Sequence, residues 1–163
     1  MYQAKMMYRG LLQPSATFAA TASIASIVSP RFKTFRQWIV TLDITAAERD
    51  SANETYDIYI TTGDGVSSWD LVHFPQIATT GAKRYTAFAN QELLPQNVST
   101  AGTAANDPGL FKTDTGGSNE GIKTLGAGRV RHGAFGDRIG AEVVIAGTVA
   151  TGITFSITVE GVA

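Results

Sequence analysis

The sequence predicts an all-β fold, an antiparallel β-sandwich of jelly-roll or immunoglobulin-like topology with an N-terminal arm and a long glycine-rich loop. Three observations carry this prediction. Short runs alternate apolar and polar residues with period two, glycine and proline turn signals separate them, and no long stretch repeats apolar residues at helical spacing.

The clearest run places Trp38, Val40, Leu42 and Ile44 on one face, with Gln37, Ile39, Thr41 and Asp43 on the other. Residues 45–55 are polar enough to be a connection. Tyr56, Ile58 and Ile60 then alternate with Asp57, Tyr59 and Thr61. That run ends at Gly63-Asp64-Gly65, a turn signal before a strand from Trp69 to Phe74, so the two strands are expected to form a hairpin. Pro75 has no N–H for a ladder and stops the second strand, and Lys83 to Phe88 is a further short strand. In the C-terminal third, Ile139, Ala141, Val143 and Ile145 line one face, and Ile153, Phe155, Ile157 and Val159 line another. With Gly147 to Gly152 as a turn between them, these strands too are expected to form a hairpin.

Two stretches lack such a period. Residues 1–33 mix small residues, Pro14 and Pro30 with scattered apolar side chains, and are read as an N-terminal arm with one or two short strands. Residues 95–128 are rich in glycine and polar residues and are read as an extended loop of the single sandwich domain 34–163. A loop of that length within a compact domain is normally functional or ordered by a partner.

Composition narrows the function. The chain has 163 residues, 44% of them apolar and 17% charged, against the roughly 25% charged of an average soluble protein. Thirteen basic and fourteen acidic side chains leave a net charge of -1, with no cationic excess to collect nucleic-acid phosphates or an anionic membrane surface. The stretch from Phe18 to Val28 is too short and too rich in Ala, Ser and Thr to span a bilayer, and Gln13 and Pro14 interrupt a signal-peptide pattern. The absence of cysteine excludes disulfides, thiolate nucleophiles and cysteine-ligated metals. A surface so poor in charge suits burial against other protein copies.

No nucleophile elbow, phosphate loop or dinucleotide fingerprint occurs. His73 and His132 stand far apart at no metal-ligand spacing, and His73 is expected to be an ordinary strand residue. Asp57, Asp64, Asp70 and Glu92 supply carboxylates, but acidic residues near turns are commonplace, and Asp64 between glycines is expected to stabilise its turn. Trp69, Phe74, Tyr59 and Tyr85 would make a sugar-stacking platform if exposed, but Trp69 and Phe74 are expected to pack between sheets. No catalytic residue, cofactor or metal ligand is assigned. Lys123, Arg129, Arg131 and Arg138 with His132 form a local basic cluster suited to pairing with carboxylates across a protein interface, and Tyr8 and Arg9 are assigned to that interface as well.

The segment Glu54 to Thr62, followed by Asp64-Gly65, Trp69-Asp70-Leu71-Val72 and Phe74-Pro75, resembles a strand, turn and tryptophan strand of small virion proteins of tailed bacteriophages. Arg129-Val130-Arg131, then Gly147-Thr148 and Gly152 to Ile157, look like the closing hairpin of such proteins. The resemblance covers about half the chain, residues 54–90 and 129–160. It implies a non-enzymatic capsid decoration or cement protein on the head exterior, a homo-oligomer for which a trimer is one arrangement, bridging capsomers of the major capsid protein. A tail, neck or other minor virion component is the alternative, and a carbohydrate-binding sandwich module the second alternative.

Overall fold

A computed structural model of the chain describes residues 6–49, 51–66, 68–91, 125–130 and 135–163. The strands run β1 (Met6–Phe18), β2 (Ala22–Val28), β3 (Gln37–Ala47), β4 (Thr55–Gly63), β5 (Ser68–His73), β6 (Lys83–Asn90), β7 (Arg129–Val130), β8 (Arg138–Ala146) and β9 (Ile153–Val162), with a 3-10 turn at Pro30–Thr34. They form a four-stranded sheet of order β1-β9-β3-β6 and a five-stranded sheet of order β2-β8-β4-β5-β7. The fold is an antiparallel β-sandwich.

Strand order decides between the two expected topologies. With the two-residue β7 set aside, the antiparallel ladders nest: β4 with β5, β3 with β6, β2 with β8 and β1 with β9. A long hairpin wound into two four-stranded sheets with this nesting is a jelly roll, whereas immunoglobulin-like sheets divide their strands differently.

The nesting corrects one pairing. Residues 139–145 and 153–159 are both strands, yet they do not form the expected hairpin: β8 lies between β2 and β4, and β9 between β1 and β3 in the opposite sheet. Both strands turn an apolar row to the same core, so their alternation is identical whether the turn folds them together or carries the chain across the sandwich. The crossing is tight. Gly152 has φ +94°, and a Cβ there would lie 2.2 Å from the Phe18 carbonyl oxygen at the corner between β1 and β2. The expected β4–β5 hairpin does form, with Gly63 opposite Ser68 and a register shift at Ile60/Thr61.

The core lies between the sheets. From one come Leu12, Trp38, Val40, Leu42, Ile44, Phe155, Ile157 and Val159, and from the other Ile24, Tyr56, Ile58, Ile60, Ile139, Ala141 and Val143, all buried. At one end Phe32 of the 3-10 turn, Phe35, Trp38 and the half-buried Tyr8 make edge-to-face and tilted contacts, with centroids 4.9 Å apart for Phe32–Trp38 and 5.1 Å for Phe35–Trp38.

Within residues 1–33, read as an arm with one or two short strands, the structure has two strands, β1 and β2, which lie at the edges of the two sheets, and Leu12 and Ile24 belong to the core. Pro14 sits within a register shift between Gln13 and Ala16, where the ladder does not need its missing N–H. Of the expected loop 95–128, only residues 125–128 lie within the described residues.

Candidate functional site

The densest polar cluster sits on the outer face of the five-stranded sheet. Antiparallel pairing sets Tyr59 of β4 opposite His73 of β5, and His73 opposite Arg129 of β7. The His73 and Tyr59 rings stack with centroids 4.0 Å apart. His73 Nε2 lies 2.9 Å from Asp57 Oδ1, and Nδ1 lies 2.6 Å from the Leu125 carbonyl oxygen. Asp57 Oδ2 also accepts from Gln76 Nε2 at 2.9 Å. The Leu125 N–H donates to Asp70 Oδ2 at 3.0 Å, so both backbone polar groups of this buried residue are tied to the sheet.

This arrangement ties Leu125 to the outer face of the sheet. A general base or a metal ligand needs a ring nitrogen facing a reactant, and both nitrogens of His73 already face oxygen atoms of the protein while the side chain is only 6% exposed. His73 is therefore a hydrogen-bonded strand residue. Among the described residues no group of three or more His, Cys, Asp or Glu side chains has the geometry to hold a metal ion. No described helix is long and apolar enough to cross a membrane.

The remaining sequence candidates are dispersed. Asp64 Oδ1 accepts from the Val66 N–H at 3.0 Å, a turn-stabilising bond across the β4–β5 connection. Glu92 lies outside the described residues. Phe74 is buried against Tyr85, Tyr59 is spent on His73 and Trp69 is half-buried, so these aromatics form no common exposed platform. Of the interface residues, Arg9 pairs with Glu160 at 3.1 Å on the outer face of the four-stranded sheet. Tyr8 turns its ring into the aromatic cluster around Trp38. Arg138, on the other sheet, bonds Asp137 at 3.0 Å, and its guanidinium lies over Gly65, where a Cβ would come within 2.6 Å of it. The structure thus does not bring Tyr8, Arg9 and Arg138 into one patch. Arg129 pairs with His73 through the backbone, and Lys123, Arg131 and His132 lie outside the described residues.

What sequence reasoning missed is the outer face of the four-stranded sheet. Register aligns Arg9, Glu160, Ile39 and Phe88 in one row across four strands, and Leu11, Thr158, Thr41 and Thr86 in the next. Leu11 is 54% exposed and Phe88 51%. The visible signal was the recurrence of Thr at the polar positions of the alternating strands, Thr41 and Thr45 in β3, Thr86 in β6 and Thr154 and Thr158 in β9.

Burial, followed by the charges of Asp57, Asp70 and Glu142, raises the pKa of the Tyr59 phenol from 10.0 to about 12. An unfolded chain ionises this tyrosine near pH 10, while the folded chain holds the proton until about 12. Between those values the unfolded state binds fewer protons, so stability falls as pH rises through this window and the effect is absent below it. Denaturant midpoints measured from pH 8 to 12 should fall less steeply for Tyr59→Phe than for the parent chain, and tyrosinate absorbance should show one late-titrating phenol missing from the variant.

Comparison of the chain with protein-family models, with curated proteins and with solved structures finds no match. Fold and site geometry define it as a jelly-roll sandwich with a His–carboxylate cluster that, among the described residues, is closed on itself.

Proposed function

We propose that the chain is a non-enzymatic structural protein of a virion, a capsid decoration or cement protein held on the outside of the head by contacts with the major capsid protein. The observation that carries this reading is the outer face of the four-stranded sheet, where a row of Thr158, Thr41 and Thr86 lies beside exposed Leu11 and Phe88 and the charges are paired with one another, Arg9 with Glu160 and Arg84 with Asp43. Such a face suits a protein interface better than open water. The resemblance to phage virion proteins supplies the setting. Jelly rolls serve in viral capsids and in lectins alike, so the fold by itself does not choose between them. Many copies of a modest contact would sum over a shell under internal pressure.

The test is co-sedimentation of the purified protein with phage heads that lack a decoration protein. Saturable binding at a fixed number of copies per capsomer is expected. Leu11→Asp with Thr41→Asp, two charges set into the face, should weaken binding about tenfold or more while leaving the fold intact. A protein that never sediments with heads, or that binds them equally well with both substitutions, overturns the reading. Removing residues 1–25 is no substitute, because it would take β1 from its sheet and Leu12 and Ile24 from the core.

A further inference from the structure

The sandwich exposes its strand edges unequally. Pro14 and three register shifts interrupt β1, a register shift breaks β2, and β7 caps β5. These are the ordinary guards against edge-to-edge association. Edge strand β6 has none of them. It is eight residues long, contains no proline, pairs with β3 without a register shift, and has no strand on its outer side among the described residues.

Its charges are also tied down. Lys83 Nζ donates to the Thr79 carbonyl at 2.9 Å, and Arg84 is paired with Asp43 of β3 in the same sheet. The Gln91 N–H donates to the Arg36 carbonyl, which fixes the phase of the ladder. By the alternation of antiparallel pairing, Ala87 and Ala89 then bond toward β3, while Arg84, Thr86 and Phe88 direct their backbone N–H and C=O groups outward.

We propose that β6 is a self-association strand: two copies of this chain pair their β6 edges antiparallel about a two-fold axis at Ala87, joining two four-stranded sheets into one continuous sheet. The sequence of β6 is self-complementary in that register. Thr86 faces Phe88 of the second copy, Tyr85 faces Ala89, and Arg84 faces Asn90. Large residues thus oppose small ones, and no like charges meet. A parallel arrangement would set Arg84 beside Arg84, and hydrophobic contact alone would not use the open backbone groups. The proposal deepens the assembly reading above by naming one partner as a second copy, and it is tested without heads.

The full chain is examined by sedimentation equilibrium, with amide exchange of Thr86 and Phe88 followed by NMR across a dilution series. A dimer is expected, with both amides protected when concentrated and exposed on dilution. Thr86→Pro removes an outward N–H that no ladder among the described residues uses, and by symmetry removes it twice, so the dissociation constant should rise about thirtyfold with the circular dichroism unchanged. Phe88→Lys places a cation diagonal to Arg84 of the other copy and should also dissociate the dimer. A wild-type monomer at all concentrations, a dimer indifferent to both substitutions, or amides protected equally at every dilution, as they would be if the chain covered its own edge, each overturns the proposal. A dimer that fails to bind heads would defeat the assembly reading alone, and a monomer that still coats them would defeat this one alone.

Discussion

Trp38→Ala is expected to lower the stability of the fold by about 4 kcal/mol, a large share of the 5–15 kcal/mol that typically separates folded from unfolded domains. The indole is 1% exposed and makes ring contacts with Tyr8, Phe32 and Phe35. Its removal withdraws apolar area from the core and leaves a cavity that three rigid rings fill poorly. For a chain of this size that corresponds to a fall of roughly 10 °C in Tm, readable by calorimetry. Because Tyr8 of β1 and Phe32 of the 3-10 turn meet at this ring, amide protection in β1 should fall with it. Phe88→Ala, at a residue 51% exposed, is the matched control and should cost well under 1 kcal/mol in the monomer.

The second large effect lies at His73. His73→Ala deletes both ring hydrogen bonds at once and leaves the Asp57 carboxylate and the buried Leu125 carbonyl each short of a partner. A loss of about 3 kcal/mol is expected in urea unfolding, because stranded polar groups cost more than the bonds themselves contributed. His73→Phe keeps an aromatic ring to stack on Tyr59 but makes neither hydrogen bond. It should therefore recover only the smaller, stacking part of the loss. If the phenylalanine variant regained full stability, the polar contacts would be incidental and the cluster merely a stacked pair.

Much of this fold was legible from alternation alone. Val40, Leu42 and Ile44, then Ile58 and Ile60, then Ile153, Phe155, Ile157 and Val159 are all buried where period two placed them. Pairing was less legible. β8 and β9 carry inward rows that read alike for a hairpin and for a crossing between sheets, and only their distant partners β2, β4, β1 and β3 decide the matter. The bounds of β1 were not legible, because Pro14 and repeated register shifts break its alternation, leaving Leu11 outside and Leu12 inside.

The site was legible only in its parts. His73 could be placed on a strand, but Asp57 stands 16 residues before it and Leu125 52 residues after, separations at which sequence pattern carries no signal. The interface assignment joined the basic cluster of residues 123–138 to Tyr8 and Arg9, whereas the nested ladders send Arg9 to one sheet and Arg138 to the other. The Thr-rich outer face emerges only once four strands from distant segments stand side by side.

The nesting of the ladders has a kinetic corollary. β9, which lies between β1 and β3, is made of residues 153–162, so during synthesis the four-stranded sheet stays split until these residues leave the ribosome. Until then β3, with Trp38, Val40 and Leu42, lacks its β9 neighbour. Closure of the β1–β9 ladder joins positions more than a hundred residues apart. Slow refolding and a chaperone-dependent yield at high expression follow from that order of assembly.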